Sequence, residues 1–543
     1  MKEYLQSLFI EASKKLSFLN EVPLFFNVPQ DEDHGDLSSN AAMLLTKKLK
    51  KNPRQIAEEI IANLSIDENK ISKTEIAGPG FINFYFNPKF VNEKIGSIIG
   101  LGEKFGLSSE FKGKKANVEF VSANPTGPLT VGHGRNAVLG DTIANLLEAV
   151  GYSVEREYYF NNAGRQMRVL GASVAERYLE FFDVNNKFND DYYQGEYIKD
   201  IAKKIYDKYF EKFKDDLENE IFKSTAEEEI FADIKSTLKR ISVVFDLFYN
   251  EDDLYKNGNI NSLLKFFEDK KLSYEKDGAI WLKFSELGQE TDKVIVKSSG
   301  EPTYRLPDIA YHKTKFDRGF DLIVDIFGSD HNATYSDVLA GVESLGYSKD
   351  KVKVIIYQFV TITQGGEVVK MSTRKANFIT LDELIDEVGK DVVRYFFIMR
   401  NYSSHMNFDL DIAKKQSDEN PVFYLKYAHA RIASILRLTQ DQELKLSLEN
   451  LDLLVEPIEQ KLIKHLHRFE EELKVAAINF EPHKLANYLE NLAALFHKFY
   501  TDCRIIGSEK KLAEARIALI IAVKIVLKNG LTILGIEAPE SMY

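Results

Sequence analysis

One cysteine stands in 543 residues, Cys503. A lone thiol forms neither an internal disulfide nor a cysteine-based zinc site, so a disulfide scaffold is excluded and a reducing compartment fits. A cytoplasmic protein without structural metal is expected. Long apolar runs are also missing. The most apolar stretch, Ala515 to Leu527, is interrupted by Arg516 and Lys524 and is shorter than the roughly 20 residues that span a bilayer. It reads as a buried helix, and no membrane association is expected. Glu3 and Glu11 fall where an export signal needs an unbroken apolar run. Basic charge is in deficit: 71 Lys and Arg stand against 83 Asp and Glu, a net charge of -12. Taken alone this leans against a nucleic-acid partner, although net charge hides local faces. Basic groups cluster at Lys47, Lys48, Lys50, Lys51 and Arg54, and again at Lys461, Lys464, His465, His467 and Arg468. On spacing alone both read as solvated helix faces.

What is present describes an ordinary folded chain, 44% hydrophobic and 28% charged. Its length predicts about three or four domains. Helical patterns near Ala41 to Leu49 and Pro53 to Ile61 precede Phe81-Ile-Asn-Phe-Tyr-Phe86, a strand leaving the Gly78-Pro-Gly80 turn. A small α+β domain over residues 1–110 is expected. From Ala116 the pattern becomes a short apolar run, a turn rich in Pro and Gly, a helix from about Arg135 to Val150, and a strand from Ser153 to Tyr159. Such a unit places a glycine-bearing turn at the carboxyl end of its first strand, where open α/β sheets bind ligands. Residues near 180–290 show helical periodicity without assignable chemistry and read as a helical insertion. The sheet pattern resumes at Val294 to Val296, Leu322 to Val324 and Val354 to Ile356, and only helical patterns follow residue 400.

Two segments could carry chemistry. In Ser122-Ala-Asn-Pro-Thr-Gly-Pro-Leu-Thr-Val-Gly-His-Gly-Arg135, Gly132 and Gly134 permit close approach of a flat ligand because a Cβ there would collide with it. His133 sits at a helix N-terminus, where free amides attract phosphate, and its imidazole can donate to a phosphoryl oxygen. The second, Val368-Val-Lys-Met-Ser-Thr-Arg-Lys375, follows a hairpin-like Gly365-Gly366 turn and precedes the capping box Thr380-Leu-Asp-Glu383. A basic loop so placed can fold over a triphosphate. Seen singly, a G-H-G turn is more often structural and a basic loop merely exposed.

Together and in this order they resemble a known class. Thr130-Val-Gly-His133 resembles the HIGH signature of class I aminoacyl-tRNA synthetases, and Lys370-Met-Ser-Thr-Arg374 resembles their KMSKS loop. Longer segments resemble arginyl-tRNA synthetases in particular: Val118 to Pro128, Asn161 to Gln166, Pro302 to Tyr311, Asn420 to Arg431, His34-Gly-Asp36, Ala77 to Asn83 and Gly535 to Pro539. The resemblance implies an α/β, Rossmann-type class I catalytic domain at 111–400 with its insertion, an N-terminal α+β domain touching the tRNA elbow, and an all-α anticodon-binding domain at 401–543. It implies arginine-tRNA ligase activity on L-arginine, ATP with Mg2+ and tRNA(Arg), with no covalent enzyme intermediate; a monomer is the accompanying expectation.

Carried over by position, the resemblance implies His133, Lys370 and Thr130 in catalysis. Gly132, Gly134, Met371, Ser372, Arg374 and Lys375 fall at ATP, and Glu119, Ser122, Asn124, Tyr304, Asp308 and His331 near arginine. The substrate's physics agrees, since a guanidinium is a planar fork of donors that a carboxylate binds bidentately. Tyr304 and Asp308 are four apart and share a face if a helix begins nearby, so a tyrosine ring could support the guanidinium plane. Three positions depart from the family pattern: Thr130 replaces the first histidine of HIGH, Thr373 the second lysine of KMSKS, and Asn162 an acid. Arg374 and Lys375 stand close enough to cover the charge missing at Thr373. Two rival readings share part of this pattern: another class I synthetase, and a non-enzymatic RNA-binding paralogue to which the two threonines point. Intact His133, Lys370, Asp308 and both outer domains count against the second.

Overall fold

The computed structural model describes residues 1–29, 31–182, 188–329, 335–369, 379–440 and 442–542. Its centre is a five-stranded, all-parallel sheet. The strands are β1 (Lys115–Glu119), β2 (Ser153–Phe160), β3 (Leu247–Asn250), β4 (Leu322–Gly328) and β5 (Val352–Tyr357), in the order β3-β2-β1-β4-β5. This is a doubly wound order, and its direction reverses between β1 and β4. Helix α1 (Val131–Ala149) follows β1, and helix α2 (Arg305–Asp317) precedes β4. Helix α1 is buried nearly all round because it lies beneath other elements on several sides. Gly140 sets its distance from the sheet, since a Cβ there would stand 2.2 Å from the Phe120 ring.

Before the sheet, strands Phe26–Asn27, Leu37–Ser39, Phe81–Phe86 and Ile71–Ala77 form an antiparallel sheet packed on helices Lys2–Ser13, Ala41–Leu49 and Pro53–Ala62. Helices Pro421–Gln440, Pro457–Leu466, Phe469–Ile478, Pro482–Asp502 and Lys510–Ile533 close the chain as a bundle. Ala515 to Leu527 lies within the last helix, where buried Arg516 donates to Glu459 at 2.7 Å. Among the described residues no helix is long and apolar enough to cross a membrane.

Four segments differ from the sequence reading. The stretch near 180–290 is helical at Glu196–Tyr209 and Glu220–Arg240, yet it also supplies β3 and the hairpin Ser273–Lys276/Ala279–Leu282. Asp277 and Gly278, at φ 53° and 71°, make the primed turn that an Asp-Gly pair favours. Val294 to Val296 does not join the parallel sheet, because strand Lys293–Val296 completes the antiparallel sheet of that hairpin. After residue 400, strand Met406–Asp409 pairs with Val360–Gln364, so the chain there is not wholly helical; four residues are too few to show a period. The cluster from Lys461 to Arg468 is no open solvated face. Lys464 pairs with Asp36, and His467 bonds Val91 O at 2.8 Å, joining the bundle to the N-terminal part.

Gly140→Ala should push Phe120 out of place and destabilise the catalytic region by about 1–3 kcal/mol. Scanning calorimetry should show a midpoint lowered by at least about 2 °C; an unchanged midpoint would contradict so close a helix-to-sheet contact.

Candidate active site

The chain leaves β1 in an uncommon conformation. Val121 and Ser122 have φ of 66° and 44°, a region a β-branched residue rarely enters and holds only when its surroundings impose it. Three hydrogen bonds do so. Val121 N–H donates to Asn136 Oδ1 (3.0 Å), whose amide donates on to Ile326 O in β4 (3.2 Å), and Ser122 N–H donates to Phe120 O (2.9 Å). Ser122 Oγ then donates to Glu119 Oε1 (2.9 Å) and accepts from Tyr159 N–H (3.1 Å). Asn124 accepts from Asn161 N–H and donates to Gln166, both at 2.9 Å. Two segments far apart in sequence, Ser122 to Asn124 and Asn161 to Gln166, thus meet at the switch point. Asn162, where an acid was expected, donates to Glu227 at 2.8 Å, so a carboxylate arrives from helix Glu220–Arg240 instead.

Helix α1 begins at Val131 with Thr130 as its N-cap, earlier than its apolar period indicates, so His133 lies in the first turn. Thr130 N–H donates to His133 Nδ1 (3.2 Å), with Thr130 Oγ1 at 3.3 Å from the same nitrogen. An amide only donates, so Nδ1 accepts and a neutral ring carries its proton on Nε2. Burial lowers the pKa of His133, which favours that neutral form. The two glycines separate. A Cβ on Gly132 would meet only Thr130 Oγ1 at 3.7 Å, whereas one on Gly134 would strike Leu381 Cδ1 at 2.6 Å. The space beside Gly132 is open, as the close approach of a flat ligand requires, whereas Gly134 is a glycine because it packs against Leu381 and Phe397, which corrects the reason given for it.

His331 and the loop residues Lys370, Met371, Ser372, Thr373, Arg374 and Lys375 lie outside the described residues. The loop's flanks are described. Val369 N–H donates to Ile362 O (2.9 Å) beside the Gly365-Gly366 hairpin. Thr380 bridges to Thr130, and Leu381 N–H donates to Leu129 O (2.8 Å). Both ends are fixed, one of them directly on the His133 turn.

Between β1, β2, β4 and α2 lies an enclosure rich in acids. Lys315, fully buried, contacts Glu119 Oε2 at 2.5 Å and Asp325 Oδ1 at 2.7 Å. His312 faces Asp308 O at 2.8 Å and Asp325 Oδ2 at 2.9 Å. Both partners only accept, so both ring nitrogens donate and the ring is an imidazolium. Burial would raise Asp325, but Lys315 and His312 hold it well below the usual range; burial raises Glu119 despite Lys315. Asp308 is unlike its neighbours. Among the described residues no hydrogen bond reaches its carboxylate, and burial, with Glu119, Glu251 and Asp325 nearby, pushes it up to about 7 against the pull of His312. Tyr159 and Tyr311 meet as a tilted ring pair, 4.3 Å between centres, along the enclosure, and Tyr159 donates to Glu251 at 2.8 Å. Tyr304 is not brought into it. Although Asp308 N–H donates to Tyr304 O (3.1 Å), the Tyr304 side chain is 82% exposed. Sequence reasoning passed over Glu251, Tyr159, Tyr311, His312, Lys315 and Asp325. The one available signal was Asp325 itself, a charge inside the apolar run Leu322-Ile-Val-Asp-Ile-Phe327.

A parallel sheet in this order, with Thr130-Val-Gly-His133 opening the helix after its first strand and the end of a second loop pinned to that turn, defines a class I aminoacyl-tRNA synthetase. Residues 95–407 match the family model "tRNA synthetases class I (R), catalytic domain", residues 3–86 "Arginyl tRNA synthetase N terminal domain", and residues 425–542 "DALR anticodon binding domain". The arginine–tRNA ligase of Desulfotalea psychrophila is 50% identical, covering 95% of this chain and 94% of that one. The chain belongs to the arginyl-tRNA synthetase family. Its structure resembles one described as an arginyl tRNA synthetase from Campylobacter jejuni, with TM-score 0.77 and 32% identity over 84% of this chain and 100% of that one. The Thermus thermophilus arginyl-tRNA synthetase shares the fold at TM-score 0.78 and 22% identity, each chain covered in full.

The raised Asp308 has a consequence for stability. A folded-state pKa above the unfolded value means a penalty that builds as pH rises from about 4 to about 7 and persists above. With water at its partly exposed edge, about 1 kcal/mol remains. Asp308→Asn should therefore raise the unfolding midpoint at pH 8 by about 2 °C or more, with a smaller gap at pH 5; a gap that widens at low pH would show the sign to be wrong.

Proposed function

We propose that this chain is an arginine–tRNA ligase whose amino-acid pocket is the acidic enclosure at the switch point. The observation that carries this reading is Asp308, a carboxylate without a described donor among other acids. It suits a planar cation, which can satisfy both its oxygens at once. Glu119, Ser122 and Asn124 form the adjoining wall, with His331 assigned to the same pocket. Tyr304, the further residue assigned to arginine, lies outside this enclosure and would have to turn inward to reach a seated guanidinium. The arginine carboxylate attacks the ATP α-phosphate in line, pyrophosphate leaves, and the terminal ribose hydroxyl of tRNA(Arg) then takes the arginyl group. No covalent enzyme intermediate forms. The protein contributes position and fixed charge.

His133 donates from Nε2 to a phosphoryl oxygen as charge accumulates, with Thr130 fixing its ring. Gly132 leaves room for the nucleotide, with Gly134 held behind it. Lys370 stabilises the departing pyrophosphate; Met371, Ser372, Arg374 and Lys375 complete the loop, and either basic residue covers for Thr373. Mg2+ arrives with ATP, where its charge offsets four phosphate charges meeting a carboxylate. The N-terminal domain meets the tRNA elbow. On the bundle, Arg431 lies over Tyr427 and Tyr500 at 5.1 and 5.3 Å, and Tyr427 stacks on His497, a surface that suits unstacked anticodon bases. The protein acts as a cytoplasmic monomer.

Aminoacylation of a tRNA pool with each amino acid in turn tests the activity, and arginine alone should be incorporated. Arginine-dependent pyrophosphate exchange should need tRNA; vigorous exchange without it would remove that coupling. Asp308→Asn should weaken arginine use by about 2–4 kcal/mol, the scale for losing one partner of a buried charge pair, with ATP affinity little changed. Lys370→Ala should slow adenylate formation about a hundredfold to a thousandfold, the worth of one aimed donor, while Thr373→Lys changes it by less than about tenfold. Single-turnover adenylate formation with tRNA present reads that step directly. A wild-type rate in Lys370→Ala would overturn the assigned loop chemistry.

A further inference from the structure

Lys315 has no place in the chemistry above, yet it is among the most completely enclosed cations in the molecule. Its ammonium reaches across the switch point. Glu119 on β1 lies at 2.5 Å and Asp325 on β4 at 2.7 Å, so one charge is shared by two register-paired carboxylates on adjacent strands. The same ammonium stands 4.5 Å from the centre of the Tyr311 ring, and Tyr311 donates to Glu157 on β2 at 2.7 Å. Glu119 is thereby held at both oxygens, Oε2 by Lys315 and Oε1 by Ser122 Oγ. Ser122 is in turn the residue with φ 44° whose Oγ accepts from Tyr159 N–H.

We propose that Lys315 is a specificity-determining positioning residue: a built-in cation that pairs with Glu119 and Asp325, so that the pocket presents to arginine a fixed wall and the carboxylate of Asp308, to which no described residue donates. The inference rests on the arginine-pocket reading and adds to it how the charge of that pocket is set. Without Lys315, Glu119 and Asp325 face each other as like charges with only His312 left to offset them, which favours a proton on Glu119. The pocket then either takes up a proton or admits an extra cation, and in both cases Glu119 is a weaker acceptor for Ser122. The groups facing the vacated position are Glu119, Glu157 and Asp325 from three strands, and Tyr311 and His312 from α2 itself.

The test is the arginine KM of Lys315→Met, measured by aminoacylation from pH 6 to 9 beside the ATP KM. We expect the arginine KM to rise at least tenfold with the ATP KM within about threefold, and the pH at which arginine use reaches its plateau to move up by at least one unit. A merely structural gap would depress both substrates alike and leave the profile where it was, and that result overturns the proposal. Should Lys315→Met not fold, Lys315→Met/Asp325→Asn removes one charge of each sign and still leaves Glu119 without its cation; a raised arginine KM supports the proposal and a wild-type KM and profile overturn it. Asp308→Asn is measured alongside. If it leaves the arginine KM unchanged, the pocket reading itself fails, whereas a raised KM there with unaltered Lys315 variants sinks only the role of Lys315.

Discussion

The structure gathers Glu119, Glu251, Asp308 and Asp325 into one water-poor space where two sheet halves diverge, and like charges so confined repel strongly. Lys315 and His312 make that arrangement tenable. Lys315 pairs with acids on the neighbouring, hydrogen-bonded strands β1 and β4, and His312 joins the backbone of α2 to β4. The pocket keeps a surplus of negative charge all the same, concentrated on Asp308. That surplus costs the free protein stability and is relieved when a cation enters. Much of the neighbouring geometry depends on this arrangement, including the pinning of Ser122 through Glu119 and the position of Tyr311 through Lys315.

The nucleotide side depends on a different device. The turn between β1 and α1 carries two residues at positive φ, and Asn136 ties that turn to β4 through both ends of its amide. Helix α1, pressed onto Phe120 at Gly140, cannot slide to relax it. The acidic pocket and the His133 turn thus hang from the same two strands, and Thr130, bridged to Thr380, brings the end of the second loop to the same place. On the reading proposed above, arginine and ATP would both be positioned by this one junction. A reaction that relies on positioning more than on covalent chemistry needs this.

Much of this was legible in the sequence, and unevenly so. The strand, turn and helix from Val118 to Val150 announced themselves through periodicity, and the two signatures announced the class through their order. The Gly365-Gly366 hairpin was legible because adjacent glycines leave few other structures open. Short elements without a full period were not legible: β3, strand Met406–Asp409, and the hairpin at Asp277-Gly278, whose turn signal was present but lay in a charge-dense stretch. At the site, Asp308 and Glu119 could be named from flanking residues, but their partners could not. Lys315 and His312 look like ordinary charges on an amphipathic helix, and only the fold reveals that this face is turned into the sheet. The 82% exposure of Tyr304 was equally hidden, because a shared helical face fixes where a side chain starts and not where its ring ends.

The departure at Thr130 also has a physical account. A histidine at this position is the family's habit, yet the contact that orients His133 here comes from the Thr130 backbone, N–H to Nδ1 at 3.2 Å. Any residue except proline supplies that donor. The side chain at 130 therefore does not choose the tautomer of His133, and replacing an imidazole with a hydroxyl leaves the Nε2 proton in place. Burial lowers the pKa of His133 and so favours the neutral ring; in the role proposed for it, His133 would offer a phosphate a directed hydrogen bond and not a charge. The departure at Thr373 differs in kind, because a backbone amide cannot replace an ammonium. A missing positive charge must be made good by another positive charge within reach of the same phosphates, and Arg374 and Lys375 are the adjacent candidates.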